Sequence, residues 1–248
     1  MSLLETRGRT DNDIPTRWVW APVSSYTVWT AIPIISYIYG PTGTELMVPL
    51  GILGLAGFVF STASSHLVYQ LVNRRNTHFA RQEVLLWKAL DAARSKASPT
   101  DMKTRIPLNS AEQDLGKLGE TGREHSAILW TILTLIPYLG WIAMIYVLAF
   151  LSNDIWKHEV REDLVLEDLG RVLKEQGGTN LPVRRVRVPN RPVIAYVAAS
   201  ILTLGVFLLL WLLLAVEDPR AHFEYHRHFE EALVGPQPTI PPVAGGMM

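Results

Sequence analysis

The sequence predicts an all-α, polytopic helical membrane protein with about four membrane helices and amphipathic helices at the surface. Three observations carry this. The 248 residues are 48% hydrophobic, an ordinary share for a globular chain, but those residues are gathered into four long blocks. The blocks contain no Asp, Glu, Lys or Arg, and nearly all charges fall between them. The clearest block, Val193 to Val216, reaches about 36 Å as a helix, enough to cross a hydrocarbon core of roughly 30 Å.

Residues 1–17 read as a flexible N-terminal arm. They carry charges of both signs and no apolar core, unlike a cleavable signal peptide. Residues 18–72 hold two membrane segments. The first, Trp18 to Tyr39, contains Pro22 and Pro33, and aromatic residues stand at both ends. It reads as a spanning helix, with an interfacial helix as the alternative. The second runs from Leu46 to Val72. In it Gly57, Ser61 and Ser65 recur every fourth residue, a spacing that lets helices pack closely; Ala195 and Ala199 repeat the pattern later. His66 is the one histidine inside an apolar block, which makes it a candidate haem ligand. A b-type pair needs a second histidine at the same depth, so a hydrogen bond to a neighbouring helix is the other reading.

Residues 73–126 form a basic amphipathic and loop region. Phe79, Leu86, Leu90 and Ala93 share a helical face, so the second helix continues past the membrane surface until Ser98-Pro99 ends it. Ser110 and Gln113 offer a capping box for a short further helix. Arg74 and Arg75, beside the apolar block, suit anionic lipid headgroups. Residues 127–151 are the third membrane segment, with Pro137 and Gly140 near its middle.

Residues 152–192 combine an amphipathic helix with a basic linker. Val165, Leu166, Leu169, Val172 and Leu173 make its apolar stripe, and Gly177-Gly178 is a helix stop. The prolines of "LPVRRVRVPNRP" then favour extended chain, which places Arg184, Arg185 and Arg187 near lipid phosphates. No nucleic-acid partner is expected, because a juxtamembrane basic run needs none. After the fourth segment, 193–216, residues 217–248 comprise a His-rich helix and a Pro-rich tail. His222, His226 and Glu230 fall on one helical face, with His228 beside them, and such a set can chelate a divalent metal ion. The alternative is a charged surface helix whose histidines pair with glutamates.

A degenerate repeat runs through the last three blocks. Pro49-Leu50-Gly51, Pro137-Tyr138-Leu139-Gly140 and Thr203-Leu204-Gly205 each precede an apolar run that gives way to a histidine-containing charged helix. The repeat conflicts with simple topology. Four crossings put residues 73–124 and 153–191 on opposite sides, yet both segments are rich in Lys and Arg, which favour one side. The expectation is four crossings, with a bent or re-entrant third block at Pro137–Gly140 as the alternative. The pattern from Ile201 to Leu233, with its Thr-Leu-Gly, Trp, Asp and His-Phe residues, resembles small multi-pass prokaryotic membrane proteins of unknown function. That resemblance implies a multi-pass location in a prokaryotic cell membrane and supplies no chemistry.

Several classes are excluded. Without cysteine there is no disulfide, thiolate site or cysteine nucleophile. Without charge in the apolar blocks an ion-coupled carrier has no coupling site. No catalytic constellation is visible. The function expected is therefore a non-catalytic accessory, scaffold or assembly subunit of a membrane complex, in contact with lipids and with other subunits or itself, and with no resident cofactor. The alternatives are a redox, metal- or haem-binding membrane protein and an oligomeric channel.

Overall fold

The computed structural model describes residues 7–8, 10–11, 13–39, 44–178 and 180–234. The Pro-rich tail and part of the N-terminal arm lie outside them. Among the described residues there are seven α-helices and no strand: α1 Trp20–Tyr39, α2 Thr44–Lys96, α3 Met102–Thr121, α4 Ala127–Leu135, α5 Leu139–Glu175, α6 Val193–Leu202 and α7 Val206–Val234. A 3-10 turn, Thr16–Val19, leads into α1.

Two of these helices, over Leu46–Lys96 and Leu139–Glu175, are long and apolar enough to cross a membrane. The third and fourth apolar blocks are each two helices. In the third, Ile136 is extended and Tyr138 turns left-handed at φ 63°, between α4 and α5. Gly140 is required there, since a Cβ would lie 2.4 Å from the Thr134 carbonyl oxygen. The fourth block breaks at Thr203–Gly205, where Leu204 has φ 50° and Gly205 φ 89°. Thr203 Oγ1 caps the next helix by accepting from the Phe207 amide at 2.9 Å. The Tyr26 hydroxyl donates to the Leu204 carbonyl, and the Tyr26 ring packs on Gly205. The single helix expected over Val193–Val216 is thus corrected to a helical hairpin.

Both hairpins open in the same direction. Asn76, at the foot of the apolar part of α2, donates to the His125 carbonyl at 2.6 Å, and Arg75 pairs with Asp154 at 2.7 Å. The start and finish of the third block therefore lie at one level. Arg191 and Asp218, which flank the fourth block, form a two-pronged ion pair at 3.0 and 2.7 Å. Helices α1 and α2 make a third hairpin, joined by Ser25 and Ser61 at 2.9 Å. Its open end lies by the same feet, where Arg220 reaches Asp13 and the Ile14 carbonyl.

The descending arms α2, α5 and α7 run parallel and share an apolar core of Leu67, Val68, Leu71, Val147, Leu148, Leu151, Trp211 and Leu212. Below it the same helices meet α3 in a second core, built on Leu86, Leu90, Leu115, Leu118, Leu169 and Phe229. Helix α3 begins at Met102, capped by the Asp101 carboxylate, so Ser110 lies within it rather than at its start. Between the two apolar cores lies a layer that is almost wholly polar.

Candidate functional site: a buried histidine and carboxylate layer

Each descending helix passes from its apolar stretch into a polar stretch, and each places one histidine inside at the same register. His78, His158 and His222 stand four residues after Arg74, Asp154 and Asp218. One turn further on, Gln82, Glu162 and His226 point into the same layer. All six are at most 1% exposed. Parallel helices in equal register bring these positions together, although they are far apart in sequence.

Two overlapping trios come within reach of a single ion. One ligand atom each from His78, His158 and His222 lies within 4.8 Å of the others, as does one each from Glu162, His222 and His226. The ring contacts are close, with centroids of His222 and His226 4.3 Å apart and those of His78 and His226 4.9 Å apart. His158 stacks on Phe79 at 3.9 Å, and neither of its ring nitrogens has a hydrogen-bond partner. His226 Nδ1 and Glu162 Oε1 are likewise buried and unpaired. Leaving such a group unpaired costs about 1–3 kcal/mol, so the gap calls for a reason.

The remaining polar atoms define the tautomers. Asp11 Oδ1 lies 2.8 Å from His78 Nδ1 and must accept, which leaves the lone pair on His78 Nε2. Arg184 Nη1 is 3.0 Å from His222 Nδ1, and a guanidinium only donates, so the hydrogen of neutral His222 sits on Nε2. It donates to His78 Nε2 at 3.1 Å. His226 Nε2 faces Glu162 Oε2 at 3.1 Å.

Burial drives the imidazoles of His158 and His222 well below the usual histidine range. It holds His226 down at about 4, an effect that Glu162 only partly offsets. Burial would raise the Glu162 carboxyl, but His226 and Arg184 outweigh it and keep it below the ordinary carboxylate range. Asp11 is lowered in the same way, with His78 and Arg81 overcoming burial. Glu159 is raised, because burial outweighs its pairing with Arg184. Neutral imidazoles beside ionised carboxylates are the protonation state that metal coordination uses.

The buried carboxylates of Asp11, Glu159, Glu162 and Glu230 face the guanidiniums of Arg81 and Arg184, with Arg7 3.9 Å from Glu230 and the buried Arg74 within electrostatic reach of Asp11. At the rim Arg7 meets Glu231, and Arg187 meets Asp163. Arg74 and Arg220 face Asp13 and Glu217.

Of the residues singled out in the sequence, His222 and His226 are in this layer. Glu230 is buried below it and is held by Arg81 at 2.7 Å and Gln82 at 2.6 Å. His228 points outward beside Glu224. His66 is exposed on α2, 2.9 Å from Gln70 and packed on Trp18, away from the other histidines. Gly57 lies against Trp29 and Val28 of α1, and Ser61 accepts from the Trp29 indole at 3.0 Å. Ser65 is buried, and Ala195 faces outward while Ala199 is half-buried. Three of the five arginines expected at headgroups are turned inward. Arg74 and Arg75 are 5% exposed, and the Arg184 side chain is 3% exposed. Arg75 is spent on Asp154 and on the Thr121 and Arg123 carbonyls, which gives it better partners than water. Arg185 and Arg187 remain exposed.

His78, His158, Glu159 and Glu162 were not singled out as ligands, because a search for ligands four residues apart on one helix misses ligands shared among helices, and Arg184 was expected at lipid headgroups rather than in this layer. The repeat was the available signal, since its three charged helices each carry one of the inner histidines. No protein-family model, curated protein or solved structure matches the chain.

Proposed function

We propose that the protein is a membrane-embedded binder of a divalent transition-metal ion, held where three helical hairpins meet. The observation that carries this is His158, fully buried, with no hydrogen-bond partner on either nitrogen, within ligand reach of His78 and His222. Such a residue is costly in a metal-free site and ordinary in a coordinated one. An all-nitrogen and oxygen donor set suits zinc, iron, copper or nickel rather than magnesium or calcium. Two partners suit the outer shell: Asp11 holds the far nitrogen of His78, and Glu159 Oε1 lies 3.5 Å from that of His222. A bare ion suits the layer better than a haem, since rings 4.3 Å apart leave no room for a macrocycle.

Membrane embedding is supported by the outward faces of the hairpins. Ile34, Tyr37, Ile52, Leu55, Ile194 and Leu202 are all more than half exposed. Helix α1, with 20 residues, reaches about 30 Å, the thickness of a hydrocarbon core. Helix α4, with nine residues, and α6, with ten, reach roughly 13–15 Å. The second and third hairpins therefore enter and return from one side at about half depth. Re-entrant backbone has to be shielded by protein; Tyr26 over Gly205 and Trp29 beside Tyr138 cover one side of each turn, while Tyr138 and Leu204 stay exposed. This arrangement keeps both basic segments on the same face, as the Lys and Arg bias favours. An accessory role in a larger complex rests on composition alone and is compatible with metal binding.

The test is elemental analysis of the protein purified in mild detergent, stripped, then equilibrated with zinc, cobalt, manganese or iron(II) and desalted. One ion per chain is expected, and none in His158→Ala. A wild-type chain that retains no ion from any of these solutions overturns the reading.

A further inference from the structure

The segment that closes the histidine layer makes a demand on His222 that a metal ion cannot share. Between α5 and α6 the chain from Leu181 to Arg191 has neither helix nor strand and passes beside the layer. Its centre is Arg184, whose guanidinium reaches Glu159 at 2.6 Å and Asp163 at 2.9 Å and also pairs with Glu162. The guanidinium lies 4.0 Å over the Tyr225 ring, and the Tyr225 hydroxyl donates to the Pro182 carbonyl at 3.1 Å. Further along, the Val188 amide donates to Glu159 Oε2 at 2.6 Å. This is a built contact, with a cation placed among carboxylates that a metal would also seek.

We propose that Arg184 is a tethered cation competing with the metal ion, so that metal loading releases the Arg184 end of this strap. The inference rests on the metal-binding reading above. Two features carry it. The first is the tautomer of His222. With Arg184 donating to Nδ1, the hydrogen of His222 is on Nε2, the nitrogen that faces His78. Coordination through Nε2 needs that hydrogen on Nδ1, where it collides with the guanidinium donor. Once Arg184 leaves, Glu159 Oε1, 3.5 Å away, can accept the Nδ1 hydrogen and complete a carboxylate–histidine–metal arrangement.

The second feature is Glu162. It belongs to the Glu162/His222/His226 trio, and Arg184 occupies one of its oxygens. Both trios share His222, so Arg184 blocks either one. The freed segment adds Arg184 to the already exposed Arg185 and Arg187, so metal occupancy enlarges a basic patch at the membrane face.

The experiment measures trypsin cleavage after Arg184 by mass spectrometry in detergent-solubilised protein, metal-free and saturated with cobalt(II). Binding of cobalt(II) to wild type, R184K and R184Q is titrated in parallel. Metal is expected to speed cleavage after Arg184 by about tenfold or more, because the side chain is buried until displaced. R184Q is expected to bind cobalt(II) at least about tenfold more tightly, with R184K between it and wild type. Tight cobalt binding with unchanged cleavage and equal affinity in all three proteins overturns the competition and leaves the metal site standing. No binding in any of them overturns both. Should R184Q fail to fold, the wild-type cleavage ratio alone decides.

Discussion

His78 and His222 face each other through their Nε2 atoms at 3.1 Å, although 143 residues separate them in the chain. Each is backed on its far nitrogen by a charged group from outside the helix pair, Asp11 for His78 and Arg184 for His222. The asymmetry is informative. A carboxylate behind an imidazole prepares it to bind a cation, whereas a guanidinium behind it prepares it to donate. The layer thus holds one histidine set for coordination and one set against it.

Replacing His158 separates coordination from packing. His158→Ala removes no hydrogen bond, only the stack on Phe79 and the volume of one ring. In the metal-free protein the cavity left by the ring and the removal of two unpaired buried nitrogens act in opposite directions, so stability should change by less than about 2 kcal/mol. Metal affinity should fall by more than about a hundredfold, since even outer-shell partners are worth about 10–100-fold. His228→Ala, altered at an exposed ring, should leave affinity unchanged. Isothermal titration together with thermal unfolding reads both quantities, and equal effects of the two substitutions on metal affinity would remove His158 from the site.

Acid should destabilise the metal-free protein early. The folded pKa values of His158, His222 and His226 lie below the unfolded value of about 6.5, so the native state binds fewer protons than the unfolded chain. Their contribution is fully present above about pH 6.5 and is lost as pH falls toward the folded values. For His226, with a folded value of about 4, the loss by pH 4 is roughly 3 kcal/mol. Asp11 acts in the same direction at lower pH, because its depressed carboxyl loses stability as it protonates. Unfolding temperatures measured with chelator from pH 8 to pH 4 should begin to drop near 6.5. A flat profile down to pH 5 would mean the rings are hydrated.

Much of this was legible in the sequence, and the omissions have physical causes. The three apolar-to-charged transitions were visible because charge is excluded from the blocks. Each transition carries one histidine of the inner layer. The turn in the third block was visible because Pro137 and Gly140 are strong breakers. The turn in the fourth was hidden, because Thr203-Leu204-Gly205 is apolar enough to pass for helix; its stability comes from Tyr26, a contact no local pattern encodes. Arg184 was read as surface charge because an extended segment has no periodicity to show which side chain turns inward. Its partners Glu159 and Glu162 continue the buried face of the apolar stripe towards the helix start, where carboxylates are not read as interior groups.

The α4–α5 turn should not tolerate a side chain. In Gly140→Ala the new Cβ would lie 2.4 Å from a backbone carbonyl, which cannot swing aside as a flexible side chain can. A loss of about 2–4 kcal/mol is expected. Gly54 lies in α2 with nothing within 4 Å of its Cβ position, so Gly54→Ala should change stability by less than about 1 kcal/mol. Denaturant unfolding of the two variants in one detergent gives the comparison. Similar stabilities would show that the turn adjusts freely.

The hairpin arrangement makes a prediction opposite to that of four simple crossings. The chain has no cysteine, so single cysteines can be introduced as reporters. Thr100, Lys174 and Asn190 are exposed, and they sample the loop after α2, the end of α5 and the strap before α6. If the second and third hairpins return to the side they came from, Thr100→Cys, Lys174→Cys and Asn190→Cys all react with a membrane-impermeant maleimide from the same side. Inside-out vesicles should label all three, and right-side-out vesicles none. Four crossings would instead place Lys174 and Asn190 opposite Thr100, because the third block would carry the chain across. The ion pairs Arg75–Asp154 and Arg191–Asp218 argue for the first outcome, since at 2.7 Å the first ties the foot of α2 to the end of the third block and the second ties the two feet of the fourth. Labelling of Thr100→Cys and Lys174→Cys from opposite faces would break both pairs, and with them the convergence of His78, His158 and His222 on one layer.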